Sequence, residues 1–111
     1  MPRYGHRGRS PQVHSSAWVA AGAVLCGDVR IGPDCAIAHG AVLDAGNGVL
    51  TLGRECIVME NAVLKASRHA PLTIGNNVLV GPRAYLTGCT IEDEAFLAAG
   101  STVFNQAIVG R

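Results

Sequence analysis

A chain of 111 residues has room for one domain with a modest core. Hydrophobic residues make up 49% but aromatics only 5%, so that core has to be built from Val, Ile, Leu and Ala. A formal net charge of +1 with 15% charged residues points to neither nucleic acid nor a membrane surface as a partner. No stretch is long and apolar enough to span a bilayer.

In chain order, residues 1–12 come first. Arg3, Arg7 and Arg9 lie among Gly, Ser and Pro, with no acid before Asp28. They read as a flexible basic N-terminal arm ahead of a folded domain over 13–111. The stretch 17–26 is apolar enough to imitate the middle of a signal peptide. It is in phase with the repeat that follows, however, so cleaving it would remove folded structure.

That repeat has a period of six. Aliphatic residues recur at Val13, Val19, Leu25, Ile31, Ile37 and Leu43, then at Leu52, Val58 and Leu64. They resume at Ile74, Val80 and Leu86, then at Ile91, Leu97, Val103 and Val109. Four positions after most of them stands a small or β-branched residue, as in Ala23, Val29, Cys35, Ala41, Cys56, Ala62, Val78 and Ala84. Six fits neither an amphipathic helix nor a plain alternating strand. It fits a short strand plus a turn, repeated as one face of a prism, with the aliphatic and the small corner residue both pointing inward. Three such hexads make one coil, which predicts an all-β parallel β-helix of about five coils. A sandwich with regular turns would not hold this register over so long a stretch. Trp18, Phe96 and Phe104 are expected to help cover the open ends of the prism.

The register breaks three times. Between Asp44 and Thr51 lie extra residues that include Gly46-Asn47-Gly48. Between Lys65 and Thr73 lie others that include His69 and Pro71. One residue is missing between Leu86 and Ile91. Insertions in a solenoid become loops on one edge.

The cysteines fall within the same frame. Cys35 and Cys56 share the inward corner one coil apart and should stack, either as buried thiols or within disulfide reach. There is no Cys-x-x-Cys pair, hence no zinc ribbon or redox motif. Four cysteines without a convincing secretion signal suggest a reducing cytoplasm.

The repeat, the insertions and the words GDVRIG (27–32), AVLDAG (41–46), IGNNVLVG (74–81) and LTGCTI (86–91) together resemble the gamma-class carbonic anhydrases and their relatives. The resemblance runs from about residue 18 to 110. It implies a left-handed β-helix, a homotrimer, and a zinc or iron site at each subunit interface. It also implies a C-terminal helix along the prism, which is not expected here because this sequence stops at Arg111.

The family's metal and catalytic residues do not carry over. Its three metal histidines fall on Lys65, Pro82 and Thr87, its Arg-Gly-Asp on Asp44-Ala45-Gly46, and a glutamine on Met59. Zinc needs thiolate, neutral imidazole or carboxylate. A lysine ammonium has no acceptor, and proline has no side-chain donor atom. Neither a metal nor another cofactor is therefore expected, and no residue is assigned as catalytic.

By register, Asp44, Lys65 and Thr87 stack on one face, and His39, Glu60 and Pro82 form a second column. If the trimer is kept, the two columns meet across the subunit boundary with Met59 beside them. Three uses of that cleft are open: an ion-pair network that seals the interface, a pocket for a small anionic ligand, and a relocated metal site built on His39, Glu60 and His69. The expected role is a non-catalytic trimeric scaffold or binding protein. The alternatives are a hexapeptide acyltransferase using a histidine at the cleft and a metalloenzyme with relocated ligands.

Overall fold

The computed structural model describes residues 3–111 and shows a parallel β-solenoid with no helix among them. The first coil holds β1 (Arg3–Tyr4), β2 (Gln12–Val13) and β3 (Trp18–Val19). The second holds β4 (Val24–Cys26), β5 (Val29–Ile31) and β6 (Ala36–Ile37). The third holds β7 (Val42–Asp44), β8 (Leu50–Leu52) and β9 (Ile57–Val58). Then follow β10 (Val63–Lys65), β11 (Leu72–Ile74) and β12 (Leu79–Val80), and after them β13 (Tyr85–Thr87), β14 (Thr90–Ile91) and β15 (Phe96–Leu97). The strands β16 (Thr102–Val103) and β17 (Ile108–Val109) begin a sixth coil.

Every third strand joins one parallel sheet. The first face is β1-β4-β7-β10-β13-β16, the second β2-β5-β8-β11-β14-β17, and the third β3-β6-β9-β12-β15. The six-residue period thus becomes three flat faces. On the first face Leu25, Leu43, Leu64 and Leu86 stack in register and are fully buried. Ile31, Leu52, Ile74 and Ile91 do the same on the second face, and Ile37, Val58, Val80 and Leu97 on the third.

The three corners differ. Between the third and first faces the inward column is Ala23, Ala41, Ala62 and Ala84, all buried. The turn just ahead of it needs a left-handed residue. Gly40, Asn61, Arg83 and Gly100 supply it with φ between 62° and 78° except Arg83 at 57°. At Gly40 a Cβ would collide with the Asn61 side-chain oxygen in the coil above, so glycine is required by space as well as by φ. Between the second and third faces the column is Ala17, Cys35, Cys56, Val78 and Ala95. Between the first and second faces it is Val29, Leu50, Leu72 and Cys89. The leucines at this corner exceed the small residue that the repeat calls for. Both lie at the end of the register-breaking insertions, and both are completely buried.

Of residues 1–12, read from sequence as an arm, 1 and 2 lie outside the described residues, and 3–12 lie along the solenoid. Arg3 and Tyr4 pair with Leu25 and Cys26, and Gln12 and Val13 with Arg30 and Ile31. A turn closed by the antiparallel bridge His6↔Arg9 links the two strands. Asp28 is 6% exposed and anchors this turn. It accepts from Arg30 Nε at 2.9 Å and Nη2 at 3.1 Å, and Arg9 Nη1 lies 3.5 Å away. The repeat cannot be read here because Arg3 occupies the register position that Leu25 fills one coil later. Arg3 is exposed, whereas Leu25 is fully buried.

Trp18, Phe96 and Phe104 do not cover the ends within one chain. They are 55%, 68% and 67% exposed. Trp18 and Phe96 fall on the outward side of the pleat, in one column with Ala36, Ile57 and Leu79.

Candidate functional site

The first face brings one expected column together. Lys65 pairs in register with Asp44 on one side and Thr87 on the other. The column continues to Cys26 below Asp44. Asp44 and Thr87 are half-buried and Lys65 is exposed. Asp44 Oδ1 accepts from Gly46 N at 2.9 Å, which turns the chain into the first inserted loop. No ion pair joins Lys65 to Asp44 within the chain: among the described residues the pairs are Arg9–Asp28, Arg30–Asp28 and Arg111–Glu94. A small cavity of about 190 Å³ lies beside the column, lined by Lys65, Ser67, Tyr85, Thr87 and Asn105.

The second column is a stack of turns at the corner between the third and first faces. Its backbone carbonyls form a ladder: Asn61 N donates to His39 O at 3.2 Å, Arg83 N to Glu60 O at 3.0 Å, and Gly100 N to Pro82 O at 2.9 Å. His39 and Glu60 are exposed and Pro82 is half-buried. The His39 ring stands edge-on to Trp18 with centroids 6.1 Å apart. Met59, half-buried, precedes Glu60 and donates its backbone N–H to Val80 O at 2.9 Å. His69 is held elsewhere, in the turn closed by the Ser67↔Ala70 bridge.

The donor chemistry of the first column does not suit zinc or iron. An ammonium repels a cation, a lone threonine hydroxyl is a weak ligand, and the Asp44 carboxylate and the Cys26 thiol leave two donors, fewer than the three or four that a zinc site takes from protein. Among the described residues no three His, Cys, Asp or Glu side chains converge as a metal site, so His39, Glu60 and His69 are not gathered into a triad within one chain. The residues expected to line the cleft are thus ordered into two ladders, and their chemistry is that of charge pairing and hydrogen bonding.

Cys35 and Cys56 stack as expected and are free thiols. Cys35 Sγ donates to Gly53 O at 3.1 Å and Cys56 Sγ to Gly75 O at 3.0 Å. The sulfur of Cys35 beside it, together with burial, pushes the Cys56 thiol far above its ordinary range. Burial likewise pushes Cys89 up. Cys26 is raised by burial and then by the charge of Asp44. Reactivity follows thiolate fraction and access. The hydrogen bond with Cys56 holds Cys35 down to about 7, but Cys35 is 2% exposed, so access and not thiolate fraction decides. At pH 8 a disulfide reagent should therefore label one thiol per native chain, the half-buried Cys26, and the other three only on unfolding. Cys26→Ser should abolish native labelling, and two or more fast thiols would contradict the buried stack.

Sequence reasoning passed over a third feature. The His6–Arg9 turn and both inserted loops lie on one edge, between the first and second faces. They enclose a cleft of about 550 Å³ lined by His6, Arg7, Arg9, Asn47 and Arg68. The loops are packed on one another, since a Cβ at Gly48 would collide with the backbone carbonyl of Ser67. His6 Nε2 and Asn47 Oδ1 lie 2.6 Å apart and tie the first coil to the first insertion. The signal in the sequence was the three arginines before Asp28, which the arm reading left in solvent.

Stacked hexads, a register carried through every coil and loops confined to one edge define a hexapeptide-repeat protein. The six-repeat profile of the bacterial transferase hexapeptide family matches residues 10–45 and 71–105, and the chain belongs to that family of left-handed β-helices. Its relationship to gamma carbonic anhydrases is direct. It is 33% identical over 107 residues to the mitochondrial gamma carbonic anhydrase 1 of Arabidopsis thaliana, an alignment covering 91% of this chain and 39% of that one. It is 28% identical to a carbonic anhydrase of Geobacillus kaustophilus, covering 96% and 59%. Among solved structures, a hexapeptide transferase family protein from Anaplasma phagocytophilum superposes with a TM-score of 0.85 at 28% identity, over 98% of this chain and 75% of that one. The chain therefore spans about two-fifths of the plant relative's length. No helix of the described residues is long and apolar enough to cross a membrane.

Proposed function

We propose that the chain acts as a non-catalytic, gamma-carbonic-anhydrase-like scaffold, a homotrimer whose subunit cleft holds a small anionic ligand or a partner group in place of a metal. The observation that carries this reading is Lys65, stacked between Asp44 and Thr87 where the resemblance puts metal ligands. Two outward faces support assembly. The third face exposes the stripe Trp18, Ile57 and Phe96, and the first presents Val24, Val42, Val63 and Tyr85. The second face is polar, with Arg30, Thr51, Thr73 and Thr90 outward. A cyclic trimer closing over the two apolar faces places the His39–Glu60–Pro82 corner of one protomer near the Lys65 column of the next. Such assembly also adds core to a small prism.

Light scattering at micromolar concentration should give three times the chain mass; a monomer would remove the cleft. Protein purified without a histidine tag and supplied with zinc, iron or cobalt should hydrate carbon dioxide no faster than buffer. Metal-dependent hydration that disappears in His39→Ala would overturn this reading in favour of relocated ligands.

A second reading is acyl transfer, favoured by the Anaplasma relative and by the exposure of His39 at the proposed boundary. In that case His39 would serve as general base for an acceptor hydroxyl or amine. Acetyl transfer from acetyl-coenzyme A to a panel of small acceptors, lost in His39→Ala, would establish it.

A further inference from the structure

We propose that the edge cleft between the first and second faces is a binding site for phosphate-bearing small molecules, separate from the proposed subunit cleft. The chain as a whole is close to neutral, with a net charge of +1, yet this cleft gathers Arg7, Arg9 and Arg68 with the imidazole of His6. No carboxylate lines it. The nearest acid in its network, Asp28, is shared between Arg9 and Arg30, and Asp44 is engaged by the amide of Gly46. Arg7 and Arg68 make no ion pair among the described residues. Two guanidinium groups are thus left with unused donors beside a third that is only partly compensated.

The cleft is built rather than accidental. The cationic side chains arrive from two turns of the same design, each closed by an antiparallel bridge, His6↔Arg9 and Ser67↔Ala70. Between them lies the loop carrying Asn47, fixed to His6 on one side and packed on Ser67 through Gly48 on the other. Left-handed geometry at Arg7, φ 52°, and at Gly8, φ 77°, shapes the first turn. The volume of about 550 Å³ is that of a small-molecule site rather than a groove for a polymer.

The chemistry selects the anion. A guanidinium presents a planar fork that matches carboxylate and phosphate oxygens two at a time. A carboxylate has two oxygens and one charge, which a single arginine satisfies. Three arginines lining one cleft from two turns match a group with three oxygens and a charge near two, as in a phosphate monoester or a diphosphate.

Calorimetry on the full chain in 150 mM potassium chloride tests this with pyrophosphate, inorganic phosphate and acetate as probes. Pyrophosphate should bind with the highest affinity, phosphate more weakly, and acetate at least about tenfold more weakly than pyrophosphate. The double substitution Arg7→Gln and Arg68→Gln should weaken pyrophosphate about tenfold or more, since charge-assisted hydrogen bonds are lost. Arg68→Lys should retain part of the affinity, because it keeps charge but not the fork. Both arginines are exposed and unpaired, so the variants should melt like the parent. Absence of pyrophosphate binding up to about 10 mM, equal affinity for acetate, or an unaffected double variant would overturn the proposal. So would loss of binding in Lys65→Met with the arginine variants intact, because that places the anion in the subunit cleft instead.

Discussion

Leu64→Ala lowers the unfolding free energy by about 2–5 kcal/mol, the range for deleting a buried leucine side chain from a packed core. The position argues for the upper part of that range. Leu64 is completely buried, and Leu43 and Leu86 lie directly below and above it in register. In a solenoid these neighbours cannot move in to fill the void. Backbone hydrogen bonds hold adjacent coils about 4.8 Å apart, whatever the side chain between them. The residual cavity therefore persists, and its cost adds to the lost transfer energy. Val103→Ala serves as the comparison. Val103 is only partly buried in the last incomplete coil and should cost much less. Urea denaturation of both variants reads the difference. Equal losses would mean that the prism is packed as loosely in its middle as at its end.

How far the molecule could be read in advance depended on whether a residue took part in the repeat. Ile74, Val80 and Leu86 gave the register from the second face of the fourth coil to the first face of the fifth, because they are aliphatic and stand six residues apart. The stacking of Lys65 with Asp44 and Thr87 follows from the same count, since pairing in a parallel ladder is fixed once the inward residues are fixed. The first coil escaped because Arg3 interrupts the period and the turn at Arg7 and Gly8 has no hexad to belong to. Leu50 and Leu72 escaped because they lie inside the insertions, where the six-residue count is lost and spacing alone cannot say which residue turns inward. Trp18 and Phe96 were assigned to the ends on the strength of size, although their position one residue before Val19 and Leu97 puts them on the outward side of the pleat. The basic cleft was hidden for a related reason. Its arginines are 59 residues or more apart from turn to turn and meet only because both turns occupy the same edge of the prism.

Lys65→Met should weaken the proposed trimer. In the single chain Lys65 is exposed and unpaired among the described residues, with Asp44 and Thr87 as its register neighbours. If the subunits close over this face, the ammonium is withdrawn from water and needs carboxylates, and those within the two columns are Asp44 below it and Glu60 of the partner subunit. Removing one member of a pair so enclosed costs on the order of 3–5 kcal/mol, because the remaining charge is left desolvated. A pair left in contact with solvent contributes at most about 1 kcal/mol. The size of the loss therefore reports whether the cleft is sealed. Reversing the polarity with Lys65→Glu and Asp44→Lys together should recover part of it, which a merely steric effect of the substitution would not. The readouts are the trimer fraction by light scattering across a dilution series and the melting temperature at fixed chain concentration. A Lys65→Met protein that stays trimeric with unchanged melting would defeat the sealing role. Lys65 would then stand in an open cleft with its charge free for an anionic ligand, and the ion-pair account of the interface would have to be abandoned.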